Sequence, residues 1–163
     1  MGEPVVYVSM GTLQNGVTET FRAIAASAGK LKGLQFVLAI GNQITPEQIG
    51  ETAPNVLTVA YAPQVELLKR SSLCITHAGL NTALEALAFG VPLLAIPITN
   101  DQPGVAARIA DKEVGLVISQ GDLYTSDLPS LITQAVKDSR IRANARRLGE
   151  AISQADGLAV AAA

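Results

Sequence analysis

Residues 73–97 read LCITHAGLNTALEALAFGVPLLAIP. Leu73-Cys74-Ile75-Thr76 is a short apolar run without polar alternation, the pattern of a strand covered on both faces. From Asn81 to Phe89 the residues favour a helix, and Leu80, Leu84, Leu87 and Ala88 fall on one helical face. Gly90 supplies a stop, and Val91 to Pro97 opens a further buried strand. Strand, helix and strand with short connections form a βαβ unit, and therefore a parallel pair.

The same alternation extends in both directions. Upstream, Val5-Val6-Tyr7-Val8 reads as a buried strand, followed by the loop Ser9-Met10-Gly11-Thr12. Phe21, Ile24, Ala25 and Ala28 then recur at helical spacing up to Gly29. Leu34 to Ile40 and Val56 to Val59 are two more strands, and Val65, Leu67 and Leu68 suggest a short helix after Pro63. Downstream, Gln102 to Ala110 reads as helix, Gly115 to Ile118 as a sixth strand, and Ser126–Val136 and Arg140–Ala155 as helices. The fold expected is a Rossmann-like, doubly wound parallel sheet of six strands with helices on both faces. Asp156-Gly157 is a turn signal. The apolar stretch after it begins and stops, so the chain is expected to be part of something longer.

Composition fits this class and excludes others. The chain has 163 residues, enough for one domain (1–163) with a substantial core. Hydrophobic residues make up 48% and charged residues 16%, against about 25% charged in an average soluble domain. A net charge of −2 argues against a nucleic-acid footprint. One cysteine makes no internal disulfide and no zinc cluster. Met1-Gly2-Glu3-Pro4 is neither basic nor apolar, so no signal peptide is expected, and no apolar run reaches the roughly 18 residues of a membrane span. A cytoplasmic location is expected.

In such sheets ligands bind beyond the carboxyl ends of the strands. Two loops stand there: 9–12 after the first strand, and 76–82 leading straight into a helix. A helix start offers unpaired N–H groups and partial positive charge, which suit a phosphate. Gly79 admits a ligand close to the backbone. Asn81 and Thr82 can cap the helix or contact the phosphate, and Glu85, one turn on, lies on their side. A carboxylate there is placed to accept from ribose hydroxyls. Spacing alone leaves the alternative of an ordinary capped strand–turn–helix, since neither a Walker sequence nor G-x-G-x-x-G occurs.

Tyr61-Ala62-Pro63-Gln64, His77-Ala78-Gly79-Leu80-Asn81-Thr82 with Glu85, Gly90-Val91-Pro92, Pro97 and Asp101-Gln102 follow in order over about forty residues. This series resembles the donor-binding signature of the UDP-dependent glycosyltransferases (glycosyltransferase family 1, GT-B fold). The resemblance covers nearly the whole chain and is to the C-terminal of that fold's two domains. Leu13-Gln14-Asn15-Gly16 and Asn100 to Arg108 resemble the family's zeaxanthin glucosyltransferase branch.

The resemblance implies a role for each residue. Tyr61 stands where the family usually has a tryptophan stacked on uracil, and tyrosine is a smaller platform. The Ala62 backbone would bond the uracil, and Gln64 would lie near base and ribose. Glu85 would accept from the ribose. His77, Asn81, Thr82 and the Gly79 amide would hold the diphosphate, with Ser9, Gly11 and Thr12. Asp101 and Gln102 would contact the sugar, read as glucose. No metal and no other cofactor is implied. The UDP-sugar would be the donor, and the small acceptor, lipophilic or carotenoid, would bind mainly to an N-terminal domain that also carries the catalytic histidine base. No catalytic residue is expected in this chain, which is expected to bind donor without turnover.

Blander readings stand beside these. His77 could be structural, Glu85 a solvated helix residue, Tyr61 a cover for the core edge, Asp101 an N-cap and Cys74 inert core. Arg140, Arg142, Arg146 and Arg147 read as a solvated face, or as a contact with the absent domain or membrane headgroups. A stand-alone nucleotide-sugar-binding subunit with a partner chain, a non-catalytic α/β interaction domain and a nucleotide-sugar epimerase are the other functional readings.

Overall fold

The computed structural model describes residues 2–11 and 17–155. Thr12, the 13–16 stretch and the turn at 156–157 therefore lie outside the described residues.

Six strands alternate with helices: β1 (Val5–Ser9), α1 (Thr18–Ala28), β2 (Gln35–Ala39), α2 (Pro46–Ile49), β3 (Val56–Val59), α3 (Gln64–Leu68), β4 (Ser71–Thr76), α4 (Leu80–Ala88), β5 (Leu93–Ala95), α5 (Gln102–Asp111), β6 (Gly115–Val117), α6 (Leu128–Lys137) and α7 (Ser139–Gln154). A 3-10 turn, Gln120–Tyr124, precedes α6. The sheet order is β3-β2-β1-β4-β5-β6 and every pairing is parallel. The order reverses between β1 and β4, which opens a crevice at their carboxyl ends.

Alternate strand residues feed two cores. Val6, Val8, Leu73, Ile75 and Leu94 pack with Phe21 and Ile24 of α1 and Ile132 of α6. Tyr7, Cys74, Leu93 and Ala95 pack on the other face with Leu68, Ala83, Ala86, Leu87, Ile109 and Ala145. Full burial of each large aliphatic side chain contributes about 1.5–3 kcal/mol. That double coverage is why the strands read as unbroken apolar runs.

The face of α4 differs from the one its leucines mark. Ala83, Ala86 and Leu87 are buried, whereas Leu80 and Leu84 remain 47% and 45% exposed. Small residues win because α7 comes close: a Cβ at Gly149 would stand 2.5 Å from the Leu87 carbonyl oxygen. The strand expected over 91–97 forms ladder bonds only at Leu93–Ala95, although Val91 and Ile96 are also buried.

Candidate functional site

The carboxyl ends of β1 and β4 bring Ser9, Gly11 and His77 together. The imidazole tip fills space that side chains at two glycines would need. A Cβ at Gly11 would lie 2.8 Å from His77 Nε2, and one at Gly79 would lie 2.6 Å from it. Between them, Ala78 is fully buried with φ 65, a left-handed strain of about 1–3 kcal/mol for a residue with a Cβ. Burial holds the His77 pKa below its ordinary value, and the Ser9 backbone and the nearby Asp101 charge only partly offset that. Burial thus favours the neutral imidazole. Thr76 Oγ1 lies 3.4 Å from its Nδ1.

α4 starts at this histidine. Its N-cap is Gly79, whose carbonyl accepts the first helical bond from Ala83, and no side chain caps the helix. Asn81 and Thr82 are inside the first turn rather than at its cap, so the start of the helix keeps N–H groups available to a ligand.

Beside it lies a cleft of about 510 Å³, lined by Tyr7, Ser9, Gly11, Ala39, Gly41, Ala60, Tyr61, Ala62, Pro63, Gln64, Val65, Glu66 and Glu85. The Tyr61 ring is 83% exposed while Ala62 is buried, so the ring stands free at the mouth and covers no core edge. Gln64 spans the floor. Its Nε2 donates to Glu85 Oε2 at 2.7 Å and approaches Thr82 Oγ1 at 3.4 Å. Its Oε1 accepts from the Tyr7 hydroxyl at 3.1 Å. Tyr7 is 2% exposed, and burial pushes its pKa to about 12, with the Ser9 hydroxyl pulling the other way. The phenol thus keeps its proton, and here it donates to Gln64. Tyr7 escaped the reading of the sequence because nothing but topology brings it to Gln64, 57 residues away.

Asp101 and Gln102 begin α5. The Asp101 side chain makes no cap bond and stands near enough to His77 to influence its charge. Gln102 is 3% exposed. Its Oε1 accepts from the Ile98 and Thr99 amides at 2.8 and 3.0 Å, shaping the loop after β5. Its Nε2 makes no hydrogen bond among the described residues. No group of three or more His, Cys, Asp or Glu capable of holding a metal ion occurs among the described residues.

An imidazole and a free helix start thus stand beside a cleft lined by an exposed aromatic residue and a braced carboxylate. Such a set suits a ligand with an anionic centre, a flat ring and hydroxyls. Comparison with known proteins bears on which ligand. The family model described as UDP-glucoronosyl and UDP-glucosyl transferase matches residues 2–154. The uncharacterized UDP-glucosyltransferase YojK of Bacillus subtilis (strain 168) is 32% identical over 155 residues, covering 95% of this chain and 38% of the relative. A zeaxanthin glucosyltransferase of Pantoea ananas is 38% identical over 115 residues, covering 69% of this chain and 26% of the relative. The crystal structure of the calicheamicin glycosyltransferase CalG4 superposes with a TM-score of 0.88 at 30% identity, covering 98% of this chain and 42% of that one. The chain spans about two-fifths or less of the length of these relatives.

Proposed function

The chain belongs to the UDP-glucoronosyl and UDP-glucosyl transferase family, and from that premise we propose that it is the donor-binding domain of an inverting glycosyltransferase. The donor is a UDP-hexose, glucose by preference. The acceptor is the hydroxyl of a small lipophilic molecule, of which a carotenoid is one kind. The similarity to a zeaxanthin glucosyltransferase supports that acceptor class.

The observation that carries the reading is the packing of His77 against Gly11 and Gly79 at the uncapped start of α4, beside the Tyr61–Gln64–Glu85 cleft. In this reading uracil stacks on Tyr61 and bonds the Ala62 backbone. Glu85 accepts from the ribose hydroxyls. The diphosphate takes the amides at Gly79 to Thr82, the Asn81 and Thr82 side chains, the Ser9, Gly11 and Thr12 loop, and an N–H of neutral His77. Asp101 and the Nε2 of Gln102 contact the sugar. The acceptor oxygen attacks the anomeric carbon as its bond to the β-phosphate oxygen breaks. The bonding pair departs with UDP, and configuration inverts. The helix start and His77 meet the growing phosphate charge, so no metal has a role in the step. The acceptor proton goes to a general base outside this chain, whose single histidine is already committed to phosphate. The acceptor site and that base belong to a further domain.

No helix among the described residues is long and apolar enough to cross a membrane. Action in the cytoplasm, with the whole protein peripheral to a membrane, accords with a lipophilic acceptor.

Calorimetric titration with UDP and UDP-glucose tests the donor site. Binding between micromolar and millimolar, about −8 to −4 kcal/mol, is expected. Removing a hydrogen bond to a charged group in His77→Ala should weaken it about tenfold or more. A folded sample that binds neither nucleotide overturns the reading. Glycosylation of an acceptor by this chain alone, well above background, overturns the assignment of the base to another domain.

A further inference from the structure

We infer that Tyr7 is a positioning residue for the ribose-binding carboxylate: its hydroxyl anchors the far end of the Gln64 amide, and that amide holds Glu85. The inference rests on the donor-site reading above for what Glu85 binds, but the bracket itself is independent of it.

The argument runs through the capacity of one side chain. A glutamine amide has two N–H donors on nitrogen and an acceptor oxygen, and the two ends have nearly the same shape. Nothing steric prevents the amide from rotating end for end. If it did, Oε1 would face the Glu85 carboxylate, acceptor against acceptor, and the carboxylate would lose its donor. The Glu85 carboxylate, an acceptor only, excludes that state, and the Tyr7 hydroxyl anchors the amide from its other end. It donates to Oε1 at 3.1 Å, which ties the oxygen end of the amide to β1. With oxygen held toward Tyr7, nitrogen faces Glu85 Oε2 at 2.7 Å and Thr82 Oγ1 at 3.4 Å. Both N–H groups of Gln64 are then committed. One lone pair of its oxygen remains, so Gln64 offers a ligand at most a single acceptor.

The three residues lie on different elements, β1, α3 and α4. The bracket therefore ties the first strand to the helix whose start faces the crevice. Tyr7 is almost wholly enclosed and its hydroxyl keeps its proton at any physiological pH, so the anchoring bond does not vary with pH. Tyr7 itself is not required to touch the ligand.

Tyr7→Phe removes one hydroxyl and leaves the core filled. Two titrations separate positioning from general support: UDP, and 2′,3′-dideoxy-UDP, which lacks the ribose hydroxyls. The expected result is a loss of about fivefold or more in UDP affinity, from one disordered hydrogen-bond partner, with the dideoxy nucleotide unchanged. Equal loss for both nucleotides, or loss for neither, overturns the inference. A ligand-free readout accompanies this. The side-chain amide protons of Gln64, followed by NMR, should report one orientation in the parent chain and shift or double in Tyr7→Phe; identical spectra also overturn it. If the parent chain binds no UDP, the donor-site reading fails and the amide spectrum alone decides the bracket. Gln64→Met keeps the side chain's length but removes both ends of the bracket. It should show the same selective loss, and it serves if Tyr7→Phe does not fold.

Discussion

Replacing Gly79 with alanine asks whether the loop between β4 and α4 is built around the imidazole. The new Cβ would stand 2.6 Å from His77 Nε2 and 2.7 Å from Cε1. Comfortable contacts between heavy atoms lie near 3.5–4.0 Å, so roughly 1 Å must be found by moving a ring whose tip Gly11 also hems in. Gly79 itself has φ −61 and ψ 134, which alanine adopts without strain. The cost is therefore steric, about 1–3 kcal/mol for overpacking of this size. In a His77→Ala background the three nearest contacts of the new Cβ are gone, so the same substitution should cost about 0.5 kcal/mol or less, leaving a coupling of about 1–2 kcal/mol. Gly11→Ala should behave differently. It adds a φ of 78 to the clash, so about 1–2 kcal/mol remains after the ring is removed. Urea unfolding of the four members of each cycle gives these values, provided the slopes agree. If Gly79→Ala costs the same with and without His77, the ring does not dictate the glycine and the reasoning fails.

Three further outcomes are expected. Burial lowers the His77 pKa below 6.5, so the unfolded chain binds the proton more readily; this contribution to stability is complete above pH 6.5 and is lost as pH falls through that value toward the folded pKa. Urea midpoints measured from neutral pH down to about 5 should therefore fall more steeply for the parent chain than for His77→Ala, and equal slopes would contradict this. Cys74 is fully buried and its thiol is pushed up to about 12, so an aromatic disulfide reagent should titrate no thiol in the native chain and one in denaturant; rapid native reaction would show that β4 opens. Asp138 caps α7 by accepting from the Arg140 and Ile141 amides at 2.8 and 3.2 Å, and Asp138→Ala should cost about 1 kcal/mol in the same unfolding assay.

The central strands were legible because a strand buried on both faces has few polar residues to blur it. All six appear where the apolar runs lie, and β5 is merely shorter than its run since only three residues find ladder partners. The short α2 was missed, although Thr45-Pro46-Glu47-Gln48 carries a signal: Gln48 Oε1 accepts from the Thr45 amide at 2.8 Å, as a capping box requires. The face of α4 was misleading because leucine spacing was read without knowing that α7 packs close against Leu87, with glycine at the contact. The site residues were legible as a local motif, but their mutual bonds were not. Gln64 meets Glu85 and Tyr7 only because the chain crosses from β3, at the sheet edge, to β4, beside β1. The φ of Ala78 has no signature in an alanine.

That crossover has a consequence for how the molecule comes apart. Residues up to Leu68 build the half-sheet β3-β2-β1, and residues from Ser71 build β4-β5-β6. The first half owns Tyr7, Ser9, Gly11, Tyr61 and Gln64; the second owns His77, Gly79, Glu85 and Asp101. The crevice is therefore a seam: the cleft wall comes almost wholly from the first half, and Glu85, His77 and the helix start come from the second. A molecule lodged there would act as a clasp across the β1–β4 junction, slowing the parting of the halves more than the fraying of either outer edge. Occupancy would then be written into the order in which amide protons exchange, with the two central strands gaining protection that β3 and β6 do not share.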